Sequence, residues 1–329
     1  MPTPTPGREP LPARAVEPHD ATIESSVGAA AETKSALSRW VTDIAELTRA
    51  RLSALVLIAT GAGYLIALGE QFLLDTDRFG ARILQLIATI AGTSFVAAAA
   101  SVFNQVMERD ADRRMRRTSV RPLATGRMGP GAGLTIGVLL TVAGLSILCG
   151  TSNSLAALLS LASLVIYLAV YTPLKKVSSL NTLVGAIPGA IPPLIGWAAA
   201  TGQLGPGAWV LFAIVFVWQI PHFLAIAWLY RDQYAAAGFQ MLTHGDAAGT
   251  RTGRMAVFYS MCLIPATLTA PLVGLGGPGY AIGSLLAGVA FLVVSVAFLL
   301  RPSERTARRL FFASIAYLPV IFGILIIGV

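Results

Sequence analysis

The sequence predicts an all-α fold, a polytopic transmembrane helical bundle with nine spans. Three observations predict it. Of the 329 residues, 55% are hydrophobic and only 12% are charged, against about 25% charged in soluble domains. The apolar residues collect into nine segments, each near the length needed to cross a ~30 Å hydrocarbon core. The basic residues collect into alternate loops between those segments.

Taken in order, residues 1–35 are rich in Pro, Ala, Thr and Glu and contain no apolar run. They read as a disordered cytoplasmic tail, neither a signal peptide nor a span. Residues 36–329 form the nine-span transmembrane domain. A stretch from Ser35 to Arg49 places Leu37, Trp40, Val41, Ile44 and Leu47 at helical spacing, as an interfacial helix does. The nine segments run 50–69, 83–107, 131–149, 154–171, 182–200, 207–229, 255–274, 279–300 and 309–328. Cys149 and Cys262 lie in different segments, so neither a disulfide framework nor a metal-type cysteine spacing exists.

The loop charges orient the bundle. The loop after span 2 carries Arg109, Arg113, Arg114, Arg116, Arg117, Arg121 and Arg127. Lys175 and Lys176 follow span 4, Arg231, Arg251 and Arg254 follow span 6, and four arginines follow span 8. The loops after spans 3, 5 and 7 have none. This alternation predicts a cytoplasmic N-terminus and an external C-terminus in the cell (inner) membrane. It also accounts for most of the net charge of +8, so nucleic acid is not an expected partner.

Chemistry concentrates at the predicted cytoplasmic helix ends. At the end of span 2, Asn104, Glu108 and Asp112 recur every four residues and share one helix face. Oxygen ligands in that pattern suit Mg²⁺, which takes carboxylates together with phosphate oxygens and waters. The competing reading is a solvated helix end, but Asn104 adjoins an apolar run where an amide needs a partner. Asp110 falls on another face and can pair with an arginine. The adjoining arginine cluster suits phosphate oxygens; a polybasic segment also suits anionic lipid. Lys175 and Lys176 either extend that anion site or form a short positive loop.

Span 6 ends Trp218-Gln219-Ile220-Pro221-His222, then Tyr230-Arg231-Asp232-Gln233-Tyr234. Ionisable residues inside a span are functional by default, and Pro221 removes a backbone donor beside His222. Three roles stand open for His222: ligating an iron, orienting an acceptor, or capping the break at Pro221. Arg231 and Asp232 form either a surface pair or a second acidic site. In span 5, Gly185 and Gly189 allow close helix contact or leave room for a flat or long apolar ligand. Spans 2 and 6 both end in acid-containing segments four spans apart, which suggests two pseudo-equivalent halves with span 9 appended.

At these residues the chain resembles the UbiA superfamily of intramembrane prenyltransferases, over essentially everything from about residue 45 onward. The matches are Asn104-x-x-x-Glu108-Arg109-Asp110-x-Asp112-x-x-Met115-x-Arg117-Thr118-x-x-Arg121-Pro122-Leu123, Tyr171-Thr172-x-x-Lys175-Lys176-x-Ser178-x-x-Asn181, Trp218-Gln219-x-Pro221-His222-Phe223, and Asp232-x-Tyr234-x-x-Ala237-Gly238-x-x-Met241-Leu242. Two departures stand out. The first motif usually has Asp where this chain has Glu108, and the second holds a single acid, Asp232, as in the haem-modifying branch.

The resemblance implies transfer of a farnesyl group from farnesyl diphosphate to the 2-vinyl group of protohaem IX, with addition of water, giving haem O and diphosphate. It implies Mg²⁺ on Asn104, Glu108 and Asp112, and Arg113, Arg117, Arg121, Lys175 and Lys176 on the diphosphate. Catalytic roles fall to Asn104, Glu108, Asp112, Arg117 and His222, with Arg51, Asp110, Tyr171, Asn181, Arg231, Asp232 and Tyr234 as further site candidates. Haem is then substrate, the lipid bilayer the medium, and a haem A synthase a partner. Two alternatives remain at this level: a related enzyme using a quinone precursor or other aromatic acceptor, and a secondary transporter. Transporters place ionisable groups near the midplane, whereas this chain places most of them at helix ends.

Overall fold

The computed structural model describes residues 42–48 and 54–328. The predicted tail 1–35, Arg51 and most of the amphipathic stretch lie outside the described residues; 42–48, within that stretch, is helical. Among the described residues the regular structure is helical, with no strand. Apolar segments fold this way because, in lipid, each backbone N–H and C=O must be bonded within its own segment.

The principal helices are α1 (Ala54–Leu68), α2 (Phe79–Met107), α3 (Pro130–Thr151), α4 (Ser154–Val165), α5 (Asn181–Ala190), α6 (Pro192–Thr201), α7 (Pro206–Leu229), α8 (Thr250–Leu268), α9 (Pro278–Leu300) and α10 (Glu304–Ile327). Among the described residues eight helical segments are long and apolar enough to cross a membrane, and α1 is a shorter apolar helix at the place of the first predicted span. The chain is a multi-pass membrane protein.

Two segments depart from the predicted single helices. The span expected at 182–200 breaks at Ile191 into α5 and α6, where Pro188, Pro192 and Pro193 cannot donate to the helical ladder. The fourth span changes pitch: α4 passes into a π-helical turn, Ile166–Tyr171, and then a short α-turn, Thr172–Leu174. Elsewhere the boundaries have local causes. Pro130, Pro206 and Pro278 occupy the first turns of α3, α7 and α9, where a missing N–H costs nothing. The Asn153 side chain accepts from Ala156 N–H at 2.9 Å and caps α4.

Successive helices pack side by side, and α10 returns to α1, closing a ring. α7 touches α1, α5, α6, α8 and α10. Helix association in lipid relies on close backbone approach. A Cβ on Gly144 of α3 would stand 2.6 Å from the Gly92 carbonyl oxygen of α2. Gly63 and Gly196 meet the backbones of α6 and α1 still more closely.

The three connections richest in functional candidates lie at one end of the bundle. Between α2 and α3 the chain forms short helices Arg109–Asp112 and Pro122–Thr125. Gln240 N–H, from the α7–α8 connection, donates to Lys175 O at 2.7 Å, and Asn181 Nδ2 donates to Gln240 O at 2.7 Å. A small apolar cluster of Ala111, Met115, Ala237 and Phe239 joins the first and third connections. The result is one polar cap over that end.

Candidate active site

The site begins where α2 ends. Asn104 sits in the last turn of α2, and Glu108 interrupts the helix at φ −101° and ψ 10°. The chain re-enters a helical turn, with Asp112 N–H donating to Glu108 O at 2.8 Å. Asn104, Glu108 and Asp112 thus line one pocket, and all three are buried.

Each acid has a cation against it. Lys175 Nζ lies 3.0 and 3.2 Å from the two Glu108 oxygens and 3.4 Å from Asn104 Oδ1. Arg121 Nη1 donates to Asp112 Oδ2 at 2.6 Å. Asn104 Nδ2 donates to Glu108 Oε2 at 2.8 Å, and Thr172 Oγ1 lies 3.2 Å from Asn104 Oδ1. Burial pulls the Lys175 pKa down, but Tyr171, Tyr167 and the Glu108 carboxylate outweigh it and hold it above the ordinary lysine value. Its ammonium stands 4.5 Å from the Tyr171 ring centroid, within cation–π range.

The π-turn explains how two tyrosines reach this lysine. Tyr167 and Tyr171 are four residues apart with ring centroids at 5.2 Å, and Thr172 Oγ1 donates to Tyr167 O. One extra residue in a helical turn shifts the register of the residues beyond it, here carrying Thr172 and Lys175 onto Asn104. Gly185 in α5 leaves space for the Tyr171 ring, which a Cβ would approach to 2.6 Å.

Arg117 comes from the α2–α3 connection and meets the α7–α8 connection. Its guanidinium lies 4.9 Å from the Tyr230 ring, and Nη2 donates to Tyr234 Oη at 3.3 Å. Arg117, Arg121 and Lys175 against Glu108 and Asp112 make three cations to two carboxylates around one pocket of about 120 Å³. That surplus favours an anion.

Several candidates point elsewhere. Arg113 donates to Ala124 O and to the exposed Asp110. Lys176 lines a separate pocket with Asp110, because neighbouring residues on a turn diverge. Arg231 stacks on Trp228 and Asp232 is 90% exposed. Asn181 is buried but holds the cap together through Ser178 O and Gln240 O. The structure therefore brings Asn104, Glu108, Asp112, Arg117, Arg121, Lys175, Tyr171 and Tyr234 to one pocket, and leaves Arg113, Lys176, Asp110, Arg231 and Asp232 off it.

Two apolar chambers adjoin this pocket. One, of about 350 Å³, is lined by α1, α5, α7 and α10 and contains His222, Trp218 and Gln219 together with Arg117, Tyr167 and Tyr171. The other, of about 210 Å³, lies among α1, α2, α4, α5 and α6, with Ala97, Ala100, Ser160 and Ser163 in its wall. Tyr167 borders both chambers and the polar pocket. No sequence signal marked Tyr167; its place depends on the π-turn.

The UbiA prenyltransferase family model matches residues 56–316. The chain belongs to the UbiA prenyltransferase family. A relative from Solibacter usitatus (strain Ellin6076), named Protoheme IX farnesyltransferase, is 42% identical over 290 residues, 87% of this chain and 98% of the relative. UbiA-like architecture recurs in solved structures. A digeranylgeranylglyceryl phosphate synthase matches with a TM-score of 0.69 at 17% identity, over 88% of this chain and 98% of that one. A UbiA homolog from Archaeoglobus fulgidus, bound to GPP and Mg²⁺, matches with a TM-score of 0.56 at 13% identity, over 86% and 99%. The two solved structures establish the UbiA fold.

The donor set fits a hard divalent cation. Two carboxylates and an amide oxygen line one pocket, and Mg²⁺ is typically held by one or two carboxylates plus substrate phosphates. Among the described residues no group of three or more His, Cys, Asp or Glu side chains is assembled to hold a metal ion, so a bound Mg²⁺ would take its remaining ligands from substrate and water.

Proposed function

We propose that this UbiA-family chain is a protohaem IX farnesyltransferase, converting haem B and farnesyl diphosphate to haem O. The acceptor half rests on the 42% identity to a relative of that name, which this chain covers almost from end to end. The donor half rests on the buried Asn104–Glu108–Lys175 and Asp112–Arg121 cluster opening onto apolar chambers.

In this reading the diphosphate oxygens lie against Lys175, Arg121 and Arg117. Asn104, Glu108 and Asp112 would hold Mg²⁺, which supplies further positive charge to the diphosphate. As the allylic C–O bond breaks, its electron pair leaves with diphosphate. Fixed cations aimed at that developing charge lower the barrier by several kcal/mol. The terminal vinyl carbon of haem donates its π electrons to farnesyl C1. Water then adds to the cation left on the inner vinyl carbon and a proton departs. The narrower chamber, walled by Ala97, Ala100 and Ser160, takes the prenyl chain; the larger, with His222, takes the porphyrin. Both chambers set mainly apolar walls around the allylic cation.

The loop charges support a site on the cytoplasmic side of the cell membrane, an internal N-terminus and an external C-terminus. A haem A synthase is the partner that would consume the product. The test is pigment analysis of membranes with and without the protein, supplied with haem B and farnesyl diphosphate. Haem O should accumulate only where the chain is active. Prenylation of an aromatic quinone precursor with haem B left unchanged would replace this reading.

A further inference from the structure

Ser314 of α10 is fully buried, and its hydroxyl makes two short contacts. Oγ lies 2.6 Å from Phe311 O and 2.8 Å from His222 Nδ1. A hydroxyl has one proton to give. The Phe311 carbonyl only accepts, so the Ser314 proton goes there. The second contact is then a hydrogen bond only when His222 Nδ1 carries a proton and donates it. His222 is thereby held as the Nδ1–H tautomer, with its lone pair at Nε2.

The same turn is fixed twice more. Trp218 Nε1 donates to Ser314 O at 2.8 Å. The His222 ring stacks on Trp218 and Phe311 at centroid distances of 5.4 and 5.1 Å. Among the described residues the bond to Ser314 is the sole hydrogen bond of the His222 side chain. Its ring lines the larger apolar chamber. A neutral imidazole with one nitrogen anchored and the other bare is the form that binds a metal, and the anchor raises its basicity.

We propose that Ser314 is a positioning residue that sets the tautomer of His222, so that Nε2 ligates the iron of the haem acceptor. This rests on the haem reading above, which leaves the role of His222 open. The experiment titrates ferric haem B and iron-free protoporphyrin IX into the detergent-solubilised full chain and follows the Soret band. Wild type should give a histidine-ligated band that His222→Ala lacks. Ser314→Ala should weaken ferric haem binding by about ten- to hundredfold, the usual cost of losing a ligand's hydrogen-bond partner. Its binding of iron-free protoporphyrin and of farnesyl diphosphate should stay at wild-type strength, which also reports an intact fold. Ser314→Thr, which keeps a hydroxyl, should recover the band.

The proposal is overturned if Ser314→Ala keeps wild-type haem affinity and band, or weakens iron-free protoporphyrin equally. It also falls if His222→Ala leaves the band unchanged. Failure of the enzymatic reading registers separately, as the absence of haem O in the wild-type pigment assay.

Discussion

Lys175 and Lys176 are adjacent in sequence, yet only Lys175 turns inward to Glu108 and Asn104. Lys175→Ala should therefore cut turnover by about 10²–10³, the scale for removing one aimed donor, while Lys176→Ala should stay near wild type. Steady-state formation of haem O in membranes measures both; comparable losses would remove Lys175 from its special place. The raised pKa gives a pH consequence. The charge is complete below the ordinary lysine value of about 10.4 and is lost only above it. Farnesyl diphosphate KM should then be unchanged by this group up to pH about 9, and an earlier rise traced to Lys175 would contradict the geometry. The acidic stripe was legible because four-residue spacing maps onto one face. The difference between the two lysines was not, since it depends on where α4 ends in three dimensions. Ser314 gave no signal at all, being one small polar residue in an apolar segment.

At the scale of elements, apolar runs and loop charges revealed the spans, but not their internal irregularities. Hydropathy averages over a turn, so it cannot register the one extra residue at Ile166–Tyr171 or the joint at Ile191. The π-turn has a consequence of its own. Deleting one residue within 166–170 should convert it to α-helix and rotate Thr172 and Lys175 by about 100° relative to α4. The variant should still insert into membranes at wild-type level, since its apolar length changes little, but haem O formation should drop at least as far as in Lys175→Ala. Retained activity with normal expression would mean that the π-turn does not set the register of Lys175.

For the whole molecule, the ring of helices and the polar cap hold the site by setting a base against each buried acid. Lys175 pairs with Glu108 and Arg121 with Asp112, so the carboxylates are neutralised by the chain's own bases. A chelator should therefore abolish turnover while leaving the thermal unfolding midpoint within about 2 °C of its starting value. A large fall would mean that the metal belongs to the fold, because a ligand bound only by the native state stabilises it by mass action. The cap was only partly readable beforehand: its charges stood out, but its hydrogen bonds link residues 117 to 233 and 175 to 240, separations that no local pattern encodes.

The pairing of each buried acid with its own base also bears on supply. Synthesis and insertion need not wait for metal or diphosphate, and a membrane can stock the finished catalyst in advance. Output then tracks the arrival of prenyl donor and porphyrin, and starvation for either leaves an idle protein rather than a misfolded one.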